Sequence, residues 1–276
     1  MGDCLKQSPS LLYKYLNLKS TMKIKNFFLI LLCLSLGLSA GAKNKTKVIA
    51  HRGYWKIEGS AQNSIKSLEE ADRIKVYGTE FDVHLTADNE AIVFHDNKVN
   101  DIKVQEVNYD KLKDIQLANG EKIPTLDQYL QKGKKLKKAK LIFELKSHAT
   151  PQRDREAAAF ILNKIKEYKL QKKTEYIAFS LEAAKEIIRL DKKAKVSYLN
   201  GELSPKELKS LGFAGLDYNY NVIKKHPEWV KEAKDLDLTV NVWTVNTAEQ
   251  MQEMIALGVD YITTDYPELL QQELKK

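Results

Sequence analysis

Between residues 48 and 264, short β-branched or aromatic runs alternate with longer stretches of helical periodicity, which restricts the chain to repeated βα units around a parallel sheet. The strand-like runs cover residues 48–51, 79–85, 91–95, 141–146, 176–180, 196–199, 215–218, 239–245 and 261–264. Helical patterns fill most of the gaps, among them 64–75, 155–168, 181–190, 205–211 and 248–257, and Pro205 follows Ser204 as a first-turn proline should. Nine runs exceed by one the eight strands of a closed barrel. The surplus lies between the second and third, because five residues separate them and a parallel crossover needs roughly a dozen or more. The chain must therefore reverse in a hairpin around Ala87-Asp88-Asn89-Glu90, where Asp and Asn favour a turn. A turn centred there pairs residue 82 with residue 95 and leaves eight parallel strands. The expected fold is an α/β (β/α)8 TIM barrel with a hairpin and loop insertion after its second strand. No internal repeat or low-complexity linker divides the chain.

The first 42 residues stand apart from that pattern. Lys23 and Lys25 precede an apolar run from Phe27 to Leu38, which ends at Ala40-Gly41-Ala42. A basic start, a short apolar middle and small residues at the end make a secretory signal over residues 22–42, with residues 1–21 as an over-extended start before Met22. The run is too short for a lasting transmembrane helix. Cleavage after Ala42 leaves residues 43–276 as one barrel domain and places the protein outside the cytoplasm, in the periplasm or cell envelope. Both cysteines, Cys4 and Cys33, fall in the leader, so the domain has neither disulfides nor cysteine ligands. Leu31-Leu32 ahead of Cys33 are too bulky for a lipoprotein signal. The leader also holds five lysines and one aspartate, which leaves 40 basic against 36 acidic residues. That mild excess suits an anionic small molecule and gives no argument for nucleic acid.

Charged residues interrupt two of the apolar strands near their C-terminal ends, where barrel enzymes hold their active sites. Glu80 and Asp82 are two apart on one strand and so share a face. Paired carboxylates repel one another and are costly to bury without a cation, which points to Mg²⁺ or Ca²⁺. Leu141-Ile142-Phe143-Glu144-Leu145-Lys146 repeats the pattern with a third carboxylate and a lysine. His51-Arg52-Gly53 ends the first strand, offering an acid/base beside a phosphate clamp, and His95-Asp96 ends the hairpin arm on the same mouth. His84 and His148 continue the faces of Asp82 and Lys146 and are candidates for the rim. His226, before Pro227, is expected at the surface.

Taken in order, these segments resemble the glycerophosphodiester phosphodiesterase family through nearly the whole region after the leader. The resemblance rests on His51-Arg52-Gly53, Asn63-Ser64, Glu80-Phe81-Asp82-Val83, Leu85-Thr86-Ala87-Asp88, His95-Asp96, Pro124-Thr125-Leu126 and Glu144-Leu145-Lys146. Trp243-Thr244-Val245-Asn246, Gly258-Val259-Asp260, Thr264-Asp265 and Pro267 complete the series. It implies a (β/α)8 barrel that cleaves glycerophosphodiesters into glycerol 3-phosphate and an alcohol. It further implies one divalent cation, Ca²⁺ or Mg²⁺, on Glu80, Asp82 and Glu144, with His51 and His95 as the acid/base pair. Arg52 and Lys146 hold the phosphate, and Trp243 walls the pocket. By the same resemblance the glycerol 2-hydroxyl attacks to give a cyclic phosphate, direct attack by water being the other route. Ala61-Gln62-Asn63-Ser64 stands where the family has Pro-Glu-Asn-Thr, and Asn97-Lys98-Val99-Asn100 replaces its Arg-Thr-Thr run.

The lysine-rich segment 132–140 immediately precedes a strand, so it belongs on the N-terminal face, opposite the site, with at most weak contact to anionic membrane surfaces. A barrel of this size needs no second copy to complete its core, and a monomer is expected. Two other readings compete with the phosphodiesterase: a related enzyme acting on lysophospholipids or sphingolipids, and a non-catalytic binder of glycerophosphodiesters in the envelope.

Overall fold

Strand β1 (Lys47–Ala50) pairs in parallel with two others, β2 (Gly78–Leu85) on one side and β11 (Tyr261–Thr264) on the other, and so closes the sheet on itself. The computed structural model describes residues 46–276. The leader therefore lies outside the described residues. Between β2 and β11 the order runs through β6 (Lys140–Leu145), β7 (Thr174–Ala178), β8 (Val196–Tyr198), β9 (Gly215–Asn219) and β10 (Thr239–Trp243), every neighbouring pair parallel. The eight parallel strands form the expected barrel. A ninth, β3 (Ala91–Val93), pairs antiparallel with the end of β2.

Helices cover the barrel: α1 (Ile65–Arg73), α2 (Leu126–Gly133), α3 (Pro151–Glu167), α4 (Leu181–Leu190), α5 (Pro205–Ser210), α6 (Tyr220–Lys225), α7 (Glu228–Asp235), α8 (Ala248–Leu257) and α9 (Pro267–Glu273). Hydroxyl side chains start many of them. Ser64, Thr125, Thr150, Ser180, Ser204 and Thr247 each accept a backbone N–H of the first turn, and removing such a cap typically costs about 1 kcal/mol. The period-two alternation of the strands separates two cores. Outward-facing Phe81, Val83, Leu141, Phe143 and Val242 join the helices in one large cluster. Inward-facing Ile49, Ile142, Ile177 and Leu199 make a small separate one inside the barrel. Polar residues at inward positions therefore face the barrel's lumen, which is what makes a site possible.

The hairpin register differs by one residue from the expected one. Val83 pairs with Val93, and the Phe94 N–H donates to the Asp82 carbonyl at 3.0 Å, so residue 94, not 95, stands opposite Asp82. Asn89 adopts the left-handed conformation, φ 65°, and Thr86 closes onto Glu90. The turn thus has three residues, the length at which a left-handed third residue is usual, and its centre moves to Asp88. Residues 94–125 then fold over the mouth around Ile92, Val104, Leu112 and Ile123, with a minimal ribbon of β4 (Lys98–Val99) and β5 (Ile102–Lys103). The lysine-rich segment leads into β6 as expected, and the Asp72 carboxylate ties it down by accepting the backbone N–H groups of Lys137, Lys138 and Ala139. Among the described residues no helix is long and apolar enough to cross a membrane.

Candidate active site

β2 presents Glu80 and Asp82 inward, and the register with β6 sets Asp82 against Glu144. All three residues are buried, and oxygens from each lie within 4.8 Å of one another. Lys146 closes the group, its Nζ 2.7 Å from Glu144 Oε1 and 3.2 Å from Asp82 Oδ1. Asn63 Nδ2 donates to Asp82 Oδ2 at 2.8 Å and accepts the Asp82 N–H on its own Oδ1. Glu80 Oε2 accepts the Arg52 backbone N–H at 2.7 Å, while Glu80 Oε1 is buried without a hydrogen-bond partner.

The electrostatics follow from crowding. Burial, then the charges of Asp82 and Glu144, push the Glu80 carboxyl well above the usual range. Burial and Asp82 likewise push Glu144 up to about 7 against the pull of Lys146. Burial opposes ionisation of Asp82 too, but Lys146, His95, Asn63 and Arg52 together hold it below the usual range. Oxygen-only donors at this separation suit a hard divalent cation such as Mg²⁺ or Ca²⁺. The unpartnered Glu80 oxygen is an atom that such an ion would satisfy. The residues present fit the group.

The loop after β1 supplies two more functional groups through an unusual backbone. Arg52 and Gly53 both have left-handed conformations, φ 56° and 78°, and for arginine that geometry costs of order 1–3 kcal/mol unless surroundings enforce it. They do: Glu80 accepts both N–H groups, one on its side chain and one on its carbonyl, and the Arg52 carbonyl accepts Asn63 N–H and Ser67 Oγ. The turn aims the guanidinium across the mouth, where Nη1 donates to Gln62 Oε1 at 2.6 Å and Nε lies 3.8 Å from Asp82 Oδ2. Gln62 thus engages the arginine. A Cβ at Gly53 would fall 2.3 Å from Ser67 Oγ and 2.7 Å from its backbone carbon. Gly53→Ala is accordingly expected to destabilise the fold by about 2–4 kcal/mol, read as a lower urea midpoint at unchanged slope. An unchanged midpoint would show that the loop can relax.

β1 and β11 are adjacent, with Ala50 paired to Thr264, so His51 meets Asp265 just beyond the strand ends. His51 Nδ1 lies 2.8 Å from Asp265 Oδ1. Asn246 Nδ2 donates to the other oxygen at 2.8 Å, and Trp55 Nε1 donates to Oδ1 at 3.2 Å. Although burial works against it, these partners, His51 first, hold the Asp265 carboxyl below the usual range. Sequence reasoning placed His51 but gave Asp265, Asn246, Asn63 and Trp55 no role. The signal for Asp265 was present in the Thr264-Asp265 motif, read together with closure of the barrel.

A cavity of about 250 Å³ brings together His51, Arg52, Glu80, His95, Glu144 and Lys146 on one side, with Phe179, Leu199 and Trp243 opposite. Trp243 is half-buried, packs edge-on against Phe179 at 5.6 Å, and donates from Nε1 to the Asp217 carbonyl. His95 reaches this cavity despite the shifted register, and burial pulls its imidazole pKa down. Its Nδ1 lies 2.6 Å from Asp96 Oδ1. It also lines a second cavity of about 620 Å³ bounded by Trp55, Ile57, Phe94, Val99 and Leu117. The two other strand-face histidines are not part of either wall. His84 is fully buried between the His95 carbonyl and Gln105, and burial lowers its pKa to about 4. His148 accepts the Leu85 N–H and its backbone is tied to Asp154. Both brace the mouth from behind. His226 stacks on Trp229 at the surface.

Residues 51–269 match the model of the glycerophosphoryl diester phosphodiesterase family. Among solved structures, a glycerophosphodiester phosphodiesterase from Parabacteroides distasonis is 61% identical and superposes with a TM-score of 0.84, over 85% of this chain and 98% of that one. A glycerophosphodiester phosphodiesterase of Caldanaerobacter subterraneus is 28% identical, over 84% of this chain and 99% of its own length. A phosphodiesterase of Oleispira antarctica, solved with its product sn-glycerol-3-phosphate, shares the fold at a TM-score of 0.72 and 23% identity, over 83% and 97% of the two chains. With the family pattern matched across the barrel and its mouth, this chain belongs to the glycerophosphoryl diester phosphodiesterase family.

Proposed function

We propose that the protein hydrolyses glycerophosphodiesters to glycerol 3-phosphate and an alcohol, with a divalent cation on Glu80, Asp82 and Glu144 and with His51 and His95 as acid and base. Family membership supports the reaction. The observation that carries the finer reading is one small cavity where an oriented histidine, a second histidine and two cations meet Glu80 and Glu144, with an oxygen of buried Asp82 within 4.8 Å of theirs.

The phosphate diester sits against Arg52 and Lys146, whose charges counter its own and the charge that grows on its oxygens during attack. A divalent cation held by Glu80, Asp82 and Glu144 would supply further stabilisation of that charge. Asp265 holds the proton on His51 Nδ1, leaving Nε2 free to take one from the attacking hydroxyl. That orientation separates the reading from a merely binding protein, which has no need of a positioned base. Asp96 does the same for His95, which stands between the two cavities and delivers a proton to the leaving alcohol oxygen. The size and openness of the second cavity favour a second reading, a lysophospholipid whose acylglycerol half lies there and whose products are lysophosphatidic acid and the headgroup alcohol.

The test is release of glycerol 3-phosphate from glycerophosphocholine and glycerophosphoethanolamine, and of lysophosphatidic acid from a lysophospholipid, with Mg²⁺, Ca²⁺ or EDTA. Release is expected with metal only, and Lys146→Met is expected to lower kcat/KM by roughly 10²–10³-fold. EDTA-insensitive release, or no release from folded protein, would sink the metal-assisted reading. The exported location is part of the same proposal. It rests on the leader pattern and is tested by the N-terminal sequence of the mature protein, with Lys43 expected first.

A further inference from the structure

Asp217 lies on β9 at an inward position, between outward-facing Leu216 and Tyr218 of the helix-side core. It is 1% exposed, and its Oδ1 has no hydrogen-bond partner. Two cavities share it. One is the catalytic cavity; the other, of about 230 Å³, occupies the lower half of the barrel among Ile49, Ile142, Ser197, Thr239 and Asn241. Trp243 hangs over the same residue through its bond to the Asp217 carbonyl. A buried carboxyl oxygen left without a partner is costly. Burial pushes the Asp217 carboxyl up to about 8, with a hydrogen bond from Asn241 opposing the rise and the charge of Glu144 adding to it.

The two arms of the site differ in ways that assign the substrate's ends. The smaller arm is bounded by Ile177, Phe179, Leu199 and Trp243, with Asp217 as the carboxyl apart from the catalytic ring, beside Thr244 and Thr263. The other is larger and more open, with walls of mixed polarity. A compact polyol matches the first and a variable alcohol the second. We infer that Asp217 is a specificity-determining residue of the small arm, hydrogen-bonding the terminal hydroxyl of the substrate's glycerol moiety beneath Trp243. The assignment rests on the glycerophosphodiesterase reading above.

The experiment compares sn-glycero-3-phosphocholine with its analogue lacking the terminal hydroxyl, the phosphocholine diester of propane-1,2-diol. The analogue keeps the hydroxyl next to the phosphate. Wild-type enzyme with saturating metal is expected to prefer the glycerol substrate by roughly 10–100-fold in kcat/KM, because the analogue leaves a buried polar group unpaired. In Asp217→Leu that preference is expected to fall to about unity, through a higher KM for the glycerol substrate and little change for the analogue. Asp217→Asn, which still donates and accepts, is expected to keep most of it. Wild-type enzyme that treats the two diesters alike overturns the assignment without recourse to any variant. A leucine variant that loses the same factor on both makes Asp217 a scaffold residue and overturns it too. Wild-type protein that cleaves neither diester overturns the functional reading itself, and this one with it.

Discussion

Glu80→Gln is expected to abolish metal-dependent turnover and, in the same molecule, to make the metal-free protein more stable at pH 7–8. The loss of activity, at least roughly 10²–10³-fold, follows from removing one of three oxygen donors and a charge from the cation site. The gain in stability follows from the repulsion among buried carboxylates. Burial and two neighbouring charges hold the Glu80 carboxyl well above its unfolded value, and Glu144 is held at about 7. A carboxyl whose folded pKa is raised binds more protons folded than unfolded, so its contribution to stability falls as pH rises from about 4, through the folded pKa. Asp82 runs the other way: its folded pKa is lowered, so its contribution is fully present at neutral pH and is lost only in acid, below about pH 4. Metal-free wild-type protein should accordingly lose stability between about pH 5 and pH 8. A divalent cation should restore it with release of protons. The glutamine variant lacks one source of the loss and the full donor set, and its gain is of order 1–3 kcal/mol. Melting curves of both proteins from pH 5 to 8, with EDTA and with Mg²⁺ or Ca²⁺, separate the cases. A variant that melts below wild type without metal and still gains stability from metal would show that these carboxylates are not the cation site.

That cluster was readable in the sequence because each of its members breaks a local rule. Glu80, Asp82, Glu144 and Lys146 are charges at period two in strands that are otherwise apolar, and a strand's face is a local property. Asp265 breaks no such rule, since an aspartate after a strand end reads as ordinary loop. It gains meaning only when β11 closes onto β1, which brings together residues 214 positions apart. Asn63 was quoted in a motif without a role, because its left-handed backbone and its bonds to Asp82 belong to the folded loop. The hairpin was legible only to within one residue: its existence followed from five residues between two strands. The register depended on the conformation of Asn89, and one residue of slip moved Phe94 opposite Asp82. His95 still reached the site, because it lies past the last ladder pair, where strand parity no longer governs it. His84, which parity did govern, and His148, three residues past the end of β6, turned out to be braces. Asp217 was the least legible of all, one acid in Gly-Leu-Asp-Tyr-Asn. Only the inward position and the cavities on both sides distinguish it from a surface residue.

Asp265→Asn is expected to cost about 10²–10⁴ in kcat with little change in KM, nearly as much as His51→Ala, and to add little on top of it. The carboxylate of Asp265 is surrounded by donors. Trp55 Nε1 and the His51 Nδ1 position face Oδ1, and Asn246 Nδ2 faces Oδ2. The orientation of Asn246 is itself fixed, because its Oδ1 accepts both the Asp265 N–H and Thr264 Oγ1. An amide at position 265 must therefore turn its NH₂ toward one set of donors or the other. Toward Asn246, two donors confront each other and the side chain is pushed from its place. Toward His51, the amide donates to Nδ1, the imidazole proton moves to Nε2, and the atom meant to accept a proton from the attacking hydroxyl no longer has a free lone pair. Either way the base is lost while the phosphate contacts of Arg52 and Lys146 remain, which is why the effect should fall on kcat. Because Asp265 is held below the usual carboxylate range, it stays ionised from mildly acidic to basic pH, and the loss should be uniform across that range. The double variant His51→Ala/Asp265→Asn makes the decisive comparison. A residue that acts through His51 has nothing left to orient once the imidazole is gone, so the double variant should match His51→Ala within a few-fold. Losses that multiply would mean that Asp265 contributes independently of His51, and the paired base would have to be given up.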